Sequence, residues 1–144
     1  MNKRGFTTIE ILFVIIVIGI LAAVAIPRLG VPFAVKMKVK TAARRLTADL
    51  RLTRRYAITN NENYKLSVNA AGKEYRVYDS TDTQVGVTRT VDTSITISAN
   101  KNFIFEPLGN ASALSDTGIS LSAVANQWNI TVTAATGMVK MVEV

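Results

Sequence analysis

The sequence predicts an α+β chain: a long N-terminal helix, partly transmembrane, packed on a C-terminal antiparallel β-sandwich. Three observations carry that expectation. Residues 6–26 run apolar with one charge among them, Glu10. An apolar stripe at helical period then continues to Ala57. From Tyr64 the period changes to two, and six to eight short strands follow at 8–12-residue spacing. At 144 residues there is room for one anchor and one small domain. The expected organisation is a leader at 1–5, an apolar helix at 6–27, an amphipathic basic helix at 28–60 and an antiparallel β domain at 61–144.

A helix over residues 6–26 rises about 1.5 Å per residue, roughly 31 Å, against a hydrocarbon core of about 30 Å. Glu10 is the odd residue in it. An acid inside a membrane helix costs on the order of 2.5–3.5 kcal/mol, so it needs a partner. No lysine or arginine lies inside the segment, so the partner comes from another molecule or is made by processing. Three plainer readings compete. An ordinary secretory signal has an apolar core of about 7–15 residues and an A-x-A-like site, for which Ala23-Val24-Ala25 could serve. Glu10 and the length of the core speak against it. A plain anchor leaves Glu10 unexplained, and a buried helix in a soluble protein is disfavoured by the length of the run. The charges flanking the run point another way. Lys3 and Arg4 precede it, whereas Arg28, Lys36, Lys38, Lys40, Arg44 and Arg45 follow, and the positive-inside rule alone would leave the large domain in the cytoplasm.

Gly19 and Pro27 punctuate the apolar helix, and Pro27 predicts a kink or local opening near Ile26. Gly30 and Pro32 predict a short break, after which a second helix runs from about Phe33 to Thr59. Its stripe of Val39, Ala42, Ala43, Leu46, Leu50, Thr53 and Ala57 should lie on a sheet. On the adjoining arc stand Lys36, Lys40, Arg44, Arg51, Arg54 and Arg55. The net charge of +7 concentrates here: residues 28–55 hold nine lysines and arginines against one acid, Asp49. Such a strip suits DNA, anionic lipid headgroups or acids on a neighbouring subunit, or it is simply a solvated helix face. No aromatic residue interleaves it to stack on bases, which counts against DNA.

In the second half, Tyr64–Val68 and Tyr75–Tyr78 alternate across Ala71-Gly72, as hairpin strands do. Strands are expected at Val85–Val91, Ser94–Ser98, Asn102–Phe105, Gly118–Ser122, Gln127–Thr133 and Met138–Val144, each ended by Asp, Asn, Gly or Pro. Trp128 should anchor the core, with an exposed partner-binding role as the alternative.

The chemistry of catalysis is missing. There is no cysteine and no histidine, which makes a Ser-His-Asp triad impossible and a zinc site improbable. No glycine-rich phosphate loop and no G-x-S-x-G elbow occurs. Asp79 and Asp82 could contribute to calcium binding, or form an ordinary polar turn. The expectation is a non-enzyme with no cofactor and no metal.

The start of the chain resembles a known signal. Gly5, Phe6, the pair Thr7-Thr8, Glu10 and the closing Ala25-Ile26-Pro27-Arg28 are similar to the class III signal of type IV pilins and type II secretion pseudopilins. The resemblance implies that a prepilin peptidase cuts between Gly5 and Phe6 and methylates the amine of Phe6. It implies that Glu10 meets the N-terminal amine of a neighbouring subunit during assembly, and that the helix between Gly19 and Pro27 can melt in the filament. Ala43–Asn61, Phe103–Gly109, Ile130–Val132 and Thr136–Val139 further resemble H-type pseudopilins and FimT-like minor pilins. A pilin-like fold follows, and with it a minor pseudopilin or pilin subunit of a type II secretion pseudopilus or type IV pilus. The alternatives are a DNA-binding minor pilin for transformation and a major structural pilin. Implied partners are other pilin or pseudopilin subunits, the prepilin peptidase, the inner-membrane assembly platform and membrane lipid before assembly, with DNA the minor alternative. The implied location is the bacterial inner membrane as a single pass with a periplasmic C-terminal domain, then the filament. Two residues depart from the pattern. Met138 stands where an arginine is usual after the late glycine, and the tail offers only Lys140, which Glu143 is expected to offset.

Overall fold

Helix α1 starts where its first free amides find acceptors. The Thr7 hydroxyl oxygen accepts from the Glu10 amide at 3.3 Å, and the Thr7 carbonyl accepts from the amides of Glu10 and Ile11. In this computed structural model, which describes residues 7–124 and 126–144 and only the backbone of 24–32, α1 spans Thr8–Asn60. The break expected at Gly30–Pro32 does not interrupt it. A proline deletes one backbone donor, and the hydrogen bonds of neighbouring turns can carry a helix across that gap. The helix stops at Asn60 because the next residue, Asn61, takes the left-handed conformation (φ 54°) while the Glu62 amide donates to the Ala57 carbonyl.

The chain divides into two compact units, residues 1–34 and Val35–Val144. In the first, the large apolar side chains from Ile9 to Leu21 are all solvent-exposed, between 38% and 75%. Among the described residues no helix is long and apolar enough to cross a membrane. The run expected to do so, 6–26, takes in Phe6 and side chains 24–26, which lie outside the described residues, as does the Gly5–Phe6 junction.

In the second unit the helix buries the stripe that the sequence predicts. Val39, Ala43, Leu46, Leu50, Thr53 and Ala57 are at most 1% exposed, and Ala42 packs at the margin. Steps of four and three residues keep them on one face. The buried Thr47 and Thr53 hydroxyls donate to the carbonyls of Ala43 and Asp49 one turn earlier, so neither is left unsatisfied.

Eight strands follow: β1 (Tyr64–Asn69), β2 (Glu74–Tyr78), β3 (Gln84–Thr90), β4 (Thr96–Ile97), β5 (Lys101–Phe105), β6 (Gly118–Ala123), β7 (Asn126–Thr133) and β8 (Met138–Glu143). They form two four-stranded antiparallel sheets, ordered β3-β2-β1-β5 and β4-β6-β7-β8. Every strand expected from the two-residue period is present. Strand β8 stops one residue short of the expected Val144, and β4 is cut to two residues, because the Asp92 carboxylate accepts from the Ser94 amide and hydroxyl and turns the chain there. Inward residues of both sheets, among them Leu66, Phe103, Phe105, Leu121 and Ile130, join the helical stripe in one core. Trp128 is buried within it.

A core built on this stripe makes Leu50, fully buried, sensitive to truncation. Leu50→Ala should lower unfolding free energy by about 2–5 kcal/mol, whereas Leu52→Ala, on the exposed side, should cost well under half as much. Urea denaturation of both variants checks it, and equal losses would contradict the assigned helix face.

Candidate functional site

The residues singled out for assembly and partner contact, Glu10 to Arg55, lie on α1, whereas Gly5 and Phe6 fall outside the described residues. In the first unit Glu10 is exposed, in the opening turn of the helix, three residues after its Thr7 cap. Thr7-x-x-Glu10 has the spacing of a capping box, a signal legible in the sequence that the apolar pattern obscures. The helix dipole favours an acid there. At Gly19 an added Cβ would meet open space, so no described contact within the chain requires glycine. The side chain of Pro27 lies outside the described residues.

In the second unit the cationic strip is largely occupied by its own fold. Lys36 pairs with Glu143 at 2.6 Å, and Lys40 lies over the Trp128 ring, 5.6 Å from its centroid. Arg51 donates to the Val139 carbonyl at 3.1 Å, and Arg54 to the Gly109 carbonyl at 2.7 Å. Among the described residues neither Arg44 nor Arg55 pairs with a carboxylate. Glu143, expected to offset Lys140, is used by Lys36 instead. Odd and even positions of a strand point to opposite faces, so residues 140 and 143 cannot share one. Lys38, outside the expected set, pairs with Asp92 at 3.0 Å.

Arg54 stands at a close junction. Gly109 and Gly137 both have positive φ, 82° and 61°, and a Cβ on Gly137 would come within 2.0 Å of the Gly109 carbonyl oxygen. Two turns distant in sequence thus meet backbone to backbone, with the Arg54 guanidinium on the same carbonyl. This brings together the Phe103–Gly109 and Thr136–Val139 segments singled out above.

The lone acid of the basic helix, Asp49, has a separate task. It accepts from the Tyr75 hydroxyl at 2.6 Å, and Arg89 lies 3.8 Å away. Burial, then the hydrogen bond and charge of Asp49, push the Tyr75 phenol well above its ordinary value. Asp79 forms a turn: one carboxylate oxygen accepts from the Thr81 hydroxyl, the Thr83 amide and the Thr81 amide, which hold its pKa below the usual carboxylate range. Asp82 pairs with Lys65 at 2.5 Å. Both acids offered above as calcium ligands are thus engaged by protein partners, and among the described residues no cluster of three acids forms.

Residues 42–136 match the family model of the type II transport protein GspH. The fold is similar to that of the minor pseudopilin EpsH from the type 2 secretion system of Vibrio cholerae, with TM-score 0.59 and 10% identity, covering 74% of this chain and 97% of that one. It is also similar to the type IV minor pilin FimU of Pseudomonas aeruginosa, with TM-score 0.62 and 14% identity, covering 77% and 92%. No curated protein sequence matches the chain.

Two outcomes follow from this geometry. Gly137→Ala should lower stability by more than about 1 kcal/mol, since the positive φ and the Gly109 oxygen both oppose a side chain. A neutral result in urea denaturation would contradict the junction. Because the folded-state pKa of Tyr75 is raised, its stabilising contribution is present below the unfolded value near pH 10 and is lost as pH rises through the folded value. The urea midpoint should therefore decline above about pH 10 more steeply in the parent chain than in Tyr75→Phe. Superimposable profiles would show the phenol to be unperturbed.

Proposed function

The chain belongs to the family of the type II transport protein GspH, and on that premise we propose that it is a minor pseudopilin or pilin subunit whose work is mechanical. The observation that carries the reading is the exposed apolar surface of α1. Eleven large apolar side chains between Ile9 and Leu21 are exposed around the whole helix rather than along one stripe. A helix apolar on every side requires lipid or other helices around it.

The segment from 6 to 26 inserts as a single pass in the inner membrane, with the C-terminal domain in the periplasm. Prepilin peptidase cleaves between Gly5 and Phe6, and the amine of Phe6 is methylated. Hand-over through the assembly platform then packs the apolar helices together in a filament of pilin-type subunits. Glu10 sets the register. Its carboxylate, in the first turn of one helix, receives the positive N-terminal amine of a neighbour, and each charge relieves the other's desolvation in the low-dielectric core. The open space at Gly19 supports close approach of a neighbouring helix or local opening near Pro27. The basic face meets a neighbouring subunit rather than DNA, since four of its six cations are already engaged within the fold.

Glu10→Ala should leave membrane insertion intact and reduce incorporation into sheared filaments at least tenfold. Membrane fractionation beside immunoblotting of filaments measures both, and normal incorporation would remove Glu10 from the account. Intact mass of the natural protein should correspond to a chain starting at Phe6 plus one methyl group. A chain starting at Ile26 would instead establish ordinary secretory processing.

A further inference from the structure

The four sheet edges of the second unit are not equally protected. Edge strand β3 carries a register irregularity opposite Tyr75–Val77. Edge strand β5 is covered by the segment after it, with the Ser112 amide donating to the Ile104 carbonyl, the Asp116 amide to the Asn102 carbonyl, and the Ile104 amide to the Ser115 hydroxyl. Edge strand β4 is two residues long. Bulging, covering and shortening are the ordinary protections of an edge. Strand β8 is neither bulged nor shortened, and its protection is limited to its charged residues Lys140 and Glu143 and to Arg51 on the Val139 carbonyl: it is six residues long, regular, and paired only with β7 among the described residues.

Its free groups follow from the register. The Val144 amide donates to the Gln127 carbonyl, so the backbone groups of Val142, Lys140 and Met138 turn toward β7. Those of Val139, Met141 and Glu143 turn away. The Arg51 guanidinium confirms the parity by donating to the outward Val139 carbonyl. Beyond that contact a groove of about 740 Å³ runs between β8 and α1, its lining including Arg54, Arg55, Ile58, Lys140 and Met141. It thus combines free strand-edge groups, apolar side chains and cations.

The charge selects the occupant. Six of the ten acids are paired within the chain, Glu143 among them at the end of β8. Of the rest, Glu62 and Glu106 accept from Ser80 and Asn110, and Asp79 forms its turn. A second copy would meet these cations with more cations. The outward backbone groups, otherwise hydrated, can be paired in register along the strand only by another peptide backbone, which neither nucleic acid nor lipid supplies. We propose that this groove receives an extended acidic segment of another protein, which adds to β8 as a fifth strand of the second sheet and sets its carboxylates against Arg55 and Lys140. From Val139 to Glu143 the edge spans about five residues at roughly 3.4 Å each, ~17 Å, of which only the Val139 carbonyl is already held among the described residues, by Arg51.

The test uses the full chain in detergent micelles and a fluorescent, end-blocked (Glu-Glu-Thr-Thr)2 peptide, which carries carboxylates on both faces of a strand, read by anisotropy. Saturable binding is expected. It should weaken at least tenfold when alternate backbone nitrogens of the peptide are methylated, and at least tenfold in the double variant Arg55→Glu, Lys140→Glu. The urea midpoint of that variant checks its fold, and Arg55→Gln, Lys140→Gln serves if the reversal does not fold. Absence of saturable binding, equal binding of the methylated peptide, or displacement by a random-sequence DNA duplex at lower concentration than by unlabelled peptide would each overturn the proposal. None of these results touches the role of Glu10, which involves neither the groove nor its cations.

Discussion

Apolar surface left uncovered among the described residues is the constraint behind everything else in this molecule. From Ile9 to Leu21 the side chains of α1 are exposed on all sides. At roughly 25 cal/mol per Å² of apolar area, so much uncovered surface is a strong drive toward a non-aqueous surrounding. From Val39 to Ala57 the same element satisfies that drive internally, along one stripe, against two sheets. One helix therefore carries two solutions to one problem. The first unit leaves the matter to its surroundings, and the second closes it within the fold. On the reading proposed above, the acid placed in the uncovered part makes the choice of surroundings specific, because lipid alone cannot neutralise it.

The second unit keeps its electrostatics mostly at home. Its cations reach carbonyls and carboxylates contributed by strands and turns far along the chain, and Lys40 covers the edge of the core at Trp128. These ion pairs are half exposed and contribute little to stability individually. Their effect is to fix which cations remain for other molecules. The junction of Arg54 with Gly109 and Gly137 does the same for backbone, locking the turn that leads into β8. Function in such a subunit is a matter of which surface is left unsatisfied, and where.

Much of this was legible in the sequence because it depends on periodicity. The stripe Val39–Ala57 and every strand followed from apolar spacing, since side-chain direction repeats at 3.6 or two residues whatever the tertiary setting. Long-range partners were not legible. Arg51 and Arg54 look like members of a free cationic face, and nothing local reveals carbonyls 88 and 55 residues away. Proximity in sequence points Glu143 to Lys140, whereas strand geometry hands it to Lys36. The break at Gly30–Pro32 failed for a related reason: local propensity argues against helix there, and a 53-residue element carries through it. The Thr7-x-x-Glu10 cap was readable but hidden beneath the more conspicuous apolar run.

The most direct measurement is zero-length carbodiimide cross-linking of assembled filaments, which joins an amine to a carboxylate only when the two are in contact. Mass spectrometry should recover a peptide in which the amine of Phe6 from one molecule is bonded to the Glu10 carboxylate of another. Recovery of chains that still begin at Met1, or of filaments in which Glu10 never joins a neighbour's amine, would contradict the account.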